Sequence, residues 1–187
     1  MSLKTGLNIE IDKAICYSGF REGQSPETGI FPTYEEIKED LLILHNHWKF
    51  LRLYDCDEHS EIVLDVIQKE KLNFKVMLGA YIAAEMNNFG CPWGGTYSEE
   101  QLIKNKEQNN IQIQKLIKLA NQYPGIIFSL SAGNEATVDW TDHFVPVKSV
   151  IKYVKMLKEG AKQPVTFCEN YVPWLDKLKG LVEEVDF

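Results

Sequence analysis

One glutamate is distinguished by where the sequence places it. Ile126-Ile127-Phe128-Ser129-Leu130-Ser131-Ala132 reads as a buried strand and runs directly into Gly133-Asn134-Glu135. A carboxyl group held beside a substrate can give up and take back a proton, and the C-terminal tip of a parallel barrel strand is where such groups sit. Asn134 adds an amide that can hydrogen-bond a hydroxyl-rich ligand next to the acid. A second strand-end carboxylate, Glu169, stands in Phe167-Cys168-Glu169-Asn170-Tyr171. Arg52 lies inside the apolar segment Phe50–Asp55, and a cation there calls for a carboxylate partner. Tyr17, Tyr54, Asp55, Tyr81, Asn170 and Tyr171 crowd the ends of other strand-like segments, and Trp93 and Trp140 fall in the loops that follow them.

Each of these residues also has a plainer reading. A strand-end glutamate can simply pair with an arginine, but the position of Glu135 after an apolar strand, within a strand–helix repeat, favours catalysis. For Glu169 a contact with ligand or a tuning of Glu135 stands level with a structural ion pair. Arg52 is expected to brace acidic groups rather than touch ligand. The aromatic side chains can stack on flat, apolar ring faces while their polar tips reach hydroxyls, or they can pack as ordinary core. Trp48 and Trp174, at helix positions, are expected in the core.

The four histidines, His45, His47, His59 and His143, share no metal-ligand spacing. No C-x-x-C, G-x-G-x-x-G or G-x-x-x-x-G-K occurs. Neither a metal nor a cofactor is expected. Cys16 and Cys168 are expected to be buried as small hydrophobes, and a Cys56–Cys91 disulfide is disfavoured.

The elements that must position these groups alternate. Strand patterns cover Ala14–Phe20, Phe50–Asp55, Phe74–Ile82, Ile126–Glu135 and Val165–Tyr171. Helical patterns run from Thr33 to Trp48, Ser60 to Leu72, Ser98 to Gln122, Val147 to Gly160 and Pro173 to Glu183. Thr33 with Glu36 and Ser98 with Gln101 have the spacing of capping boxes. Val185-Asp186-Phe187 resembles the first residues of a sixth strand. Such alternation implies βαβ units and a parallel sheet. An open doubly wound sheet and a (β/α)8 TIM barrel both satisfy it. The absence of nucleotide-binding glycines and the crowd of polar and aromatic residues at strand C-termini favour the barrel. A whole barrel has eight units in about 250 residues. The 187 residues here supply five and the beginning of a sixth. The chain is therefore expected to form one α/β domain over 1–187, a partial barrel belonging to a longer enzyme.

Composition narrows the partners. The net charge of −7 argues against a nucleic-acid surface, and no apolar run approaches the roughly 20 residues of a membrane helix. Met1–Gly6 carries no apolar leader core, which fits either a cytoplasmic protein or one whose leader has been removed.

Three segments together resemble glycoside hydrolase family 17, the family of β-1,3-glucanases and related transglycosylases. They are Cys16-Tyr17-Ser18-Gly19-Phe20 with Gly23-Gln24-Ser25-Pro26, then Leu51-Arg52-Leu53-Tyr54-Asp55-Cys56-Asp57, then Gly133-Asn134-Glu135-Ala136. The resemblance implies a (β/α)8 barrel that cleaves β-glucan with retention. It makes Glu135, at the end of strand four, the general acid/base, with Asn134 against the substrate 2-hydroxyl. It puts the nucleophile on a second Glu at the end of strand seven, beyond this chain, so residues 1–187 alone are expected to be inactive. Two alternatives stay open. One is transglycosylation through the same covalent intermediate. The other is a non-catalytic partial barrel that binds glycan or pairs with a complementary chain, its open strand edges inviting self-association. An aldolase would need a Schiff-base lysine at a strand end, and none of the five strands ends in one.

Overall fold

The computed structural model describes residues 12–187. Five strands form one sheet: β1 (Ala14–Cys16), β2 (Phe50–Leu53), β3 (Lys75–Gly79), β4 (Ile127–Asn134) and β5 (Val165–Cys168). The helices between them are α1 (Tyr34–Leu44), α2 (Glu58–Lys69), α3 (Glu99–Gln122) and α4 (Val147–Gly160), followed by the short α5 (Tyr171–Leu175) and α6 (Lys179–Val182). Every neighbouring pair is parallel, and the spatial order is β1-β2-β3-β4-β5. That order separates the two architectures left open by the sequence. A doubly wound sheet reverses direction at a switch point, whereas here each strand lies beside its predecessor, as in a barrel wall. The fold is α/β, with five consecutive βα units of the (β/α)8 type.

The two faces of this wall differ. Along β2 and β3, Leu51, Leu53, Val76 and Leu78 are buried and alternate with half-buried Phe50, Arg52, Lys75 and Met77. The buried set packs with Ile37, Leu41, Val63, Ile67 and Leu116 from the helices. Each such aliphatic side chain stabilises the fold by about 1.5–3 kcal/mol. The opposite face, where a closed barrel keeps its interior, is open. Ala14, Cys16, Phe50, Arg52, Met77 and Phe128 line a shallow hollow of about 230 Å³ there, with Phe50 edge-on to Phe128 at 5.2 Å.

Local signals explain most element boundaries and correct several expectations. The Thr33–Glu36 capping box is complete. At α3 only half of one forms. Ser98 accepts from the Gln101 amide, but the Gln101 side chain turns to Asn105 at 2.7 Å. Helix α2 starts two residues early because Asp57 accepts from the Ser60 amide at 3.0 Å. Strand β3 stops at Gly79 instead of Ile82 because the Tyr81 amide is taken by the Asp55 carboxylate at 2.8 Å. The single helix expected over 173–183 is two short turns, α5 and α6. All four thiols are free, and only Cys56 is fully buried. Cys16 is exposed and Cys168 half-exposed, against expectation, because both sit at strand ends on or beside the open inner face. Past α6 the chain returns to β5: the Asp186 amide donates to the Val165 carbonyl at 2.8 Å, where a sixth strand would begin.

Candidate active site

The end of β4 is shaped by its own residues. Ser131 Oγ donates to the Gly133 carbonyl at 2.6 Å and accepts from the Cys168 amide at 3.1 Å. The register with β5 slips between Ser131 and Asn134. Gly133 has φ +134°, and a Cβ there would lie 2.8 Å from Ile82 Cδ1 and 3.0 Å from Phe167 Cε2, so only glycine fits. Two residues on, Glu135 has φ +47°, a left-handed backbone that costs a non-glycine residue about 1–3 kcal/mol. Such strain gathers at functional sites, where the surrounding structure enforces it.

Glu135 is exposed. Among the described residues its carboxylate takes no hydrogen bond and no ion pair. The arginine that could have paired with it, Arg52, instead donates to Asn134 Oδ1 and lies over the Tyr54 ring at 4.7 Å. Arg52 therefore braces an amide, not the carboxylate expected for it. A cleft of about 450 Å³ opens beside the pair. Arg52, Asn134, Glu135, Cys168, Glu169 and Trp174 line it. Four of the residues singled out from sequence thus converge: Arg52, Asn134, Glu135 and Glu169.

Among the described residues Glu169 is in no ion pair. Its Oε2 accepts from the Thr137 amide and hydroxyl, both at 2.7 Å, and its Oε1 from the Asn170 amide at 2.7 Å. It ties the loop after β4 to β5. Asn170 caps α5 through the Val172 amide at 3.1 Å, and Tyr171 projects into solvent.

Other expected ligand contacts prove to be structural. Tyr17 is only 8% exposed. It faces the helices, donating to Asp40 at 2.8 Å, and burial followed by that hydrogen bond pushes its hydroxyl pKa well up. Asp55 Oδ1 accepts from the amides of Cys56 and Tyr81, both at 2.8 Å, and from Gln112 Nε2 at 2.7 Å. That oxygen is occupied in holding α3 and the loop after β3 to β2.

The aromatic rim is real but lies outside the cleft lining. Tyr54, Tyr81, Trp93 and Trp140 are all exposed. Trp93 and Trp140 come from different loops that are fastened together. Asn88 Nδ2 donates to the carbonyls of Asp139 and Thr141, both at 2.8 Å, and Cys91 Sγ lies 3.2 Å from the Trp140 carbonyl.

Two residues escaped the sequence reading. Trp174 was expected in the core. It packs on Phe167 at 6.4 Å and yet lines the cleft, because α5 folds back over the end of β5. His143 reaches the Asn134 carbonyl with Nε2 at 3.1 Å. A lone histidine in a loop carries no periodic signal, so nothing in the sequence could have found it.

No protein-family model matches the sequence, and no curated protein matches it. Among solved structures the fold is similar to an endo-laminarinase from Formosa Hel1_33_131, with a TM-score of 0.73 and 26% identity over 94% of this chain. The match covers 48% of that enzyme, so the chain spans about half of its length. Looser overlaps reach a Parabacteroides merdae β-glucuronidase (TM-score 0.47, 15% identity, 83% of this chain and 21% of that one). They also reach an endo-1,4-β-xylanase from Caldicellulosiruptor owensensis (TM-score 0.45, 16% identity, 82% and 54%); at such scores neither carries an argument. By fold this is a partial TIM-type barrel, similar to that of the endo-laminarinase.

Proposed function

We propose that residues 1–187 are part of the barrel domain of a retaining β-glucan-active glycoside hydrolase of the β-1,3-glucanase type, with Glu135 as its general acid/base. The observation that carries this reading is an exposed glutamate, unpaired among the described residues, in a left-handed conformation at the end of β4, in a chain 26% identical to an endo-laminarinase over 94% of this chain. In a retaining mechanism one carboxyl group protonates the leaving oxygen and then deprotonates water. A second, roughly 5–5.5 Å away, forms the glycosyl intermediate. Glu169 is a poor candidate for the second, since both of its oxygens accept backbone or hydroxyl hydrogen bonds. The family-17 resemblance assigns that role to a glutamate on a seventh strand. Asn134, held by Arg52, is suited to the 2-hydroxyl of the reacting sugar. Tyr81, Trp93, Trp140 and Trp174 are suited to stack on neighbouring sugars.

A second reading, glycan binding without turnover or pairing with a complementary chain, draws on the open inner face, where Phe50, Met77 and Phe128 are only half-buried. Calorimetry with laminari-oligosaccharides, and with xylo-oligosaccharides as the contrast, tests the shared premise. Binding of the β-1,3-linked series alone is expected. Failure to bind it, or preference for the xylan series, would remove the β-1,3-glucan assignment.

A further inference from the structure

The Asn134–Glu135 peptide is pinned from both sides. Its N–H, on Glu135, donates to the Cys168 carbonyl at 2.9 Å. Its C=O, on Asn134, faces His143 Nε2 at 3.1 Å. A carbonyl oxygen only accepts, so the ring nitrogen facing it must carry a proton. The other ring nitrogen is placed just as definitely. Nδ1 lies 2.8 Å from Asp142 Oδ1, a carboxylate oxygen that also only accepts, and 3.1 Å from Thr141 Oγ1, so both nitrogens face acceptors and the ring that satisfies both donates from each; it packs against Tyr81 at 5.0 Å. The loop that bears His143 is itself fastened, by Asn88 at Asp139 and Thr141 and by the Val145 amide to the Ala136 carbonyl at 2.8 Å. The imidazole is therefore a fixed donor aimed at one peptide plane.

That plane sets the φ of Glu135. A left-handed glutamate relaxes toward ordinary backbone geometry unless its flanking peptide is prevented from rotating. The peptide is planar, so its N–H and C=O turn together; Cys168 holds that plane by one hydrogen bond, and His143 adds a second on the opposite edge. We propose that His143 is a positioning residue: it locks the Asn134–Glu135 peptide and thereby aims the Glu135 carboxylate into the cleft. The consequence for glycan rests on the β-glucan reading above, whereas the lock itself does not.

Three measurements test it. Nitrogen-15 NMR of the wild-type imidazole should show Nε2 protonated at neutral pH; a deprotonated Nε2 overturns the proposal without any variant. Amide exchange at Glu135 is then compared in two substitutions. His143→Gln puts a donor near the place of Nε2 but removes the ring. His143→Phe keeps the ring against Tyr81 but cannot donate. Loss of one hydrogen bond of ordinary strength should speed Glu135 exchange by about fivefold to tenfold in His143→Phe, with His143→Gln within about twofold of wild type and the core amides of Val76 and Leu130 unchanged in both. Slower Glu135 exchange in Gln than in Phe supports the lock. The reverse order, or no change in either, overturns it and leaves His143 as packing. Laminari-oligosaccharide affinity should follow the same order. If wild type binds no β-1,3-glucan while the exchange order holds, the functional reading fails and the lock stands.

Discussion

Two carboxylates at the ends of parallel strands, Asp55 after β2 and Glu135 after β4, look alike in sequence and are opposites in the fold. Asp55 is gripped by three donors from three segments of chain. Glu135 accepts from none among the described residues and holds a left-handed backbone that costs stability. The contrast extends to their surroundings. Around the end of β1 and β2 the polar groups satisfy one another: Arg21 forks onto Asp40 at 2.7 and 2.9 Å, Tyr17 donates to the same carboxylate, and Gly19 donates to His59. Around the end of β4 the protein spends hydrogen bonds on orienting Glu135 and leaves its carboxylate unanswered. A strand-end position therefore does not identify a reactive acid. The acid we propose as reactive is set apart by an unanswered carboxylate, among the described residues, on a strained backbone.

Mutation of the two acids should separate function from stability. In the complete enzyme, Glu135→Gln is expected to lower turnover by about a hundredfold or more. The loss should be smaller for substrates with activated leaving groups, which need less protonation. Equal losses on both substrate types, measured by steady-state kinetics, would reject the acid/base role. Asp55→Ala should act on the fold instead, removing a charged acceptor from three donors at a cost of about 2–3 kcal/mol. Denaturant titration of this chain reads that loss directly. If Asp55→Ala is as stable as wild type, the structural half of the comparison is wrong.

How much of this was legible follows the same division. The alternation of strands and helices, the parallel sheet, the span of α4 and the convergence of Arg52, Asn134, Glu135 and Glu169 were readable, because hydrophobic period and strand-end position are properties of sequence. The fate of each polar side chain was not. Tyr17 and Tyr81 both follow strand ends, yet Tyr17 falls in line with the buried Leu53 and Leu78 and packs against Asp40, whereas Tyr81, two residues past β3, is exposed beside His143. Arg52 was expected to meet a carboxylate and met Asn134, because the bulge at the end of β4 turns the amide inward. Trp174 packs against the core, as expected, and also lines the cleft. Apart from Trp174, whose partner Phe167 is seven positions away, these outcomes are set by contacts between residues more than twenty positions apart, which no local pattern encodes.

The satisfied region carries a pH signature. Burial holds the His59 pKa down to about 4, and its neutral Nε2 accepts from the Gly19 amide at 3.0 Å. In the unfolded chain a histidine titrates near its ordinary value of about 6.5. The unfolded state therefore binds the extra proton between these values. The stability contributed by neutral His59 is complete above about pH 6.5 and is lost as pH falls toward 4, amounting to about 2 kcal/mol by pH 5. Asp57, pushed up to about 6 by burial, works in the opposite direction: it favours the fold most below its unfolded value and least above about 6. The difference between wild type and His59→Gln, whose amide oxygen can accept from Gly19 at any pH, isolates the histidine. That difference should grow in favour of the variant from pH 7 to pH 5 in denaturant titrations. A pH-independent difference would mean that burial does not hold the His59 pKa down in solution.

The smallest effect bears most directly on strain. Only two non-glycine residues among those described have positive φ: Glu135 at +47° and Lys71, at the turn between α2 and β3, at +54°. Glycine adopts either conformation without penalty, though it adds entropy to the unfolded chain. Lys71→Gly and Glu135→Gly should therefore each gain about 0.5–1 kcal/mol, a rise of roughly 2 °C in Tm for a domain of this size. The two substitutions should part company on glycan. Lys71→Gly relieves a strain that only shapes a turn and should leave oligosaccharide affinity unchanged. Glu135→Gly relieves a strain that aims a carboxylate and should weaken it. A loss of stability in Glu135→Gly would show the carboxylate to be holding the fold together, as Asp55 does, and would erase the distinction between the two strand ends. A gain in both, with affinity lost in only one, would establish that strain marks function here only where it is joined to an unsatisfied charge.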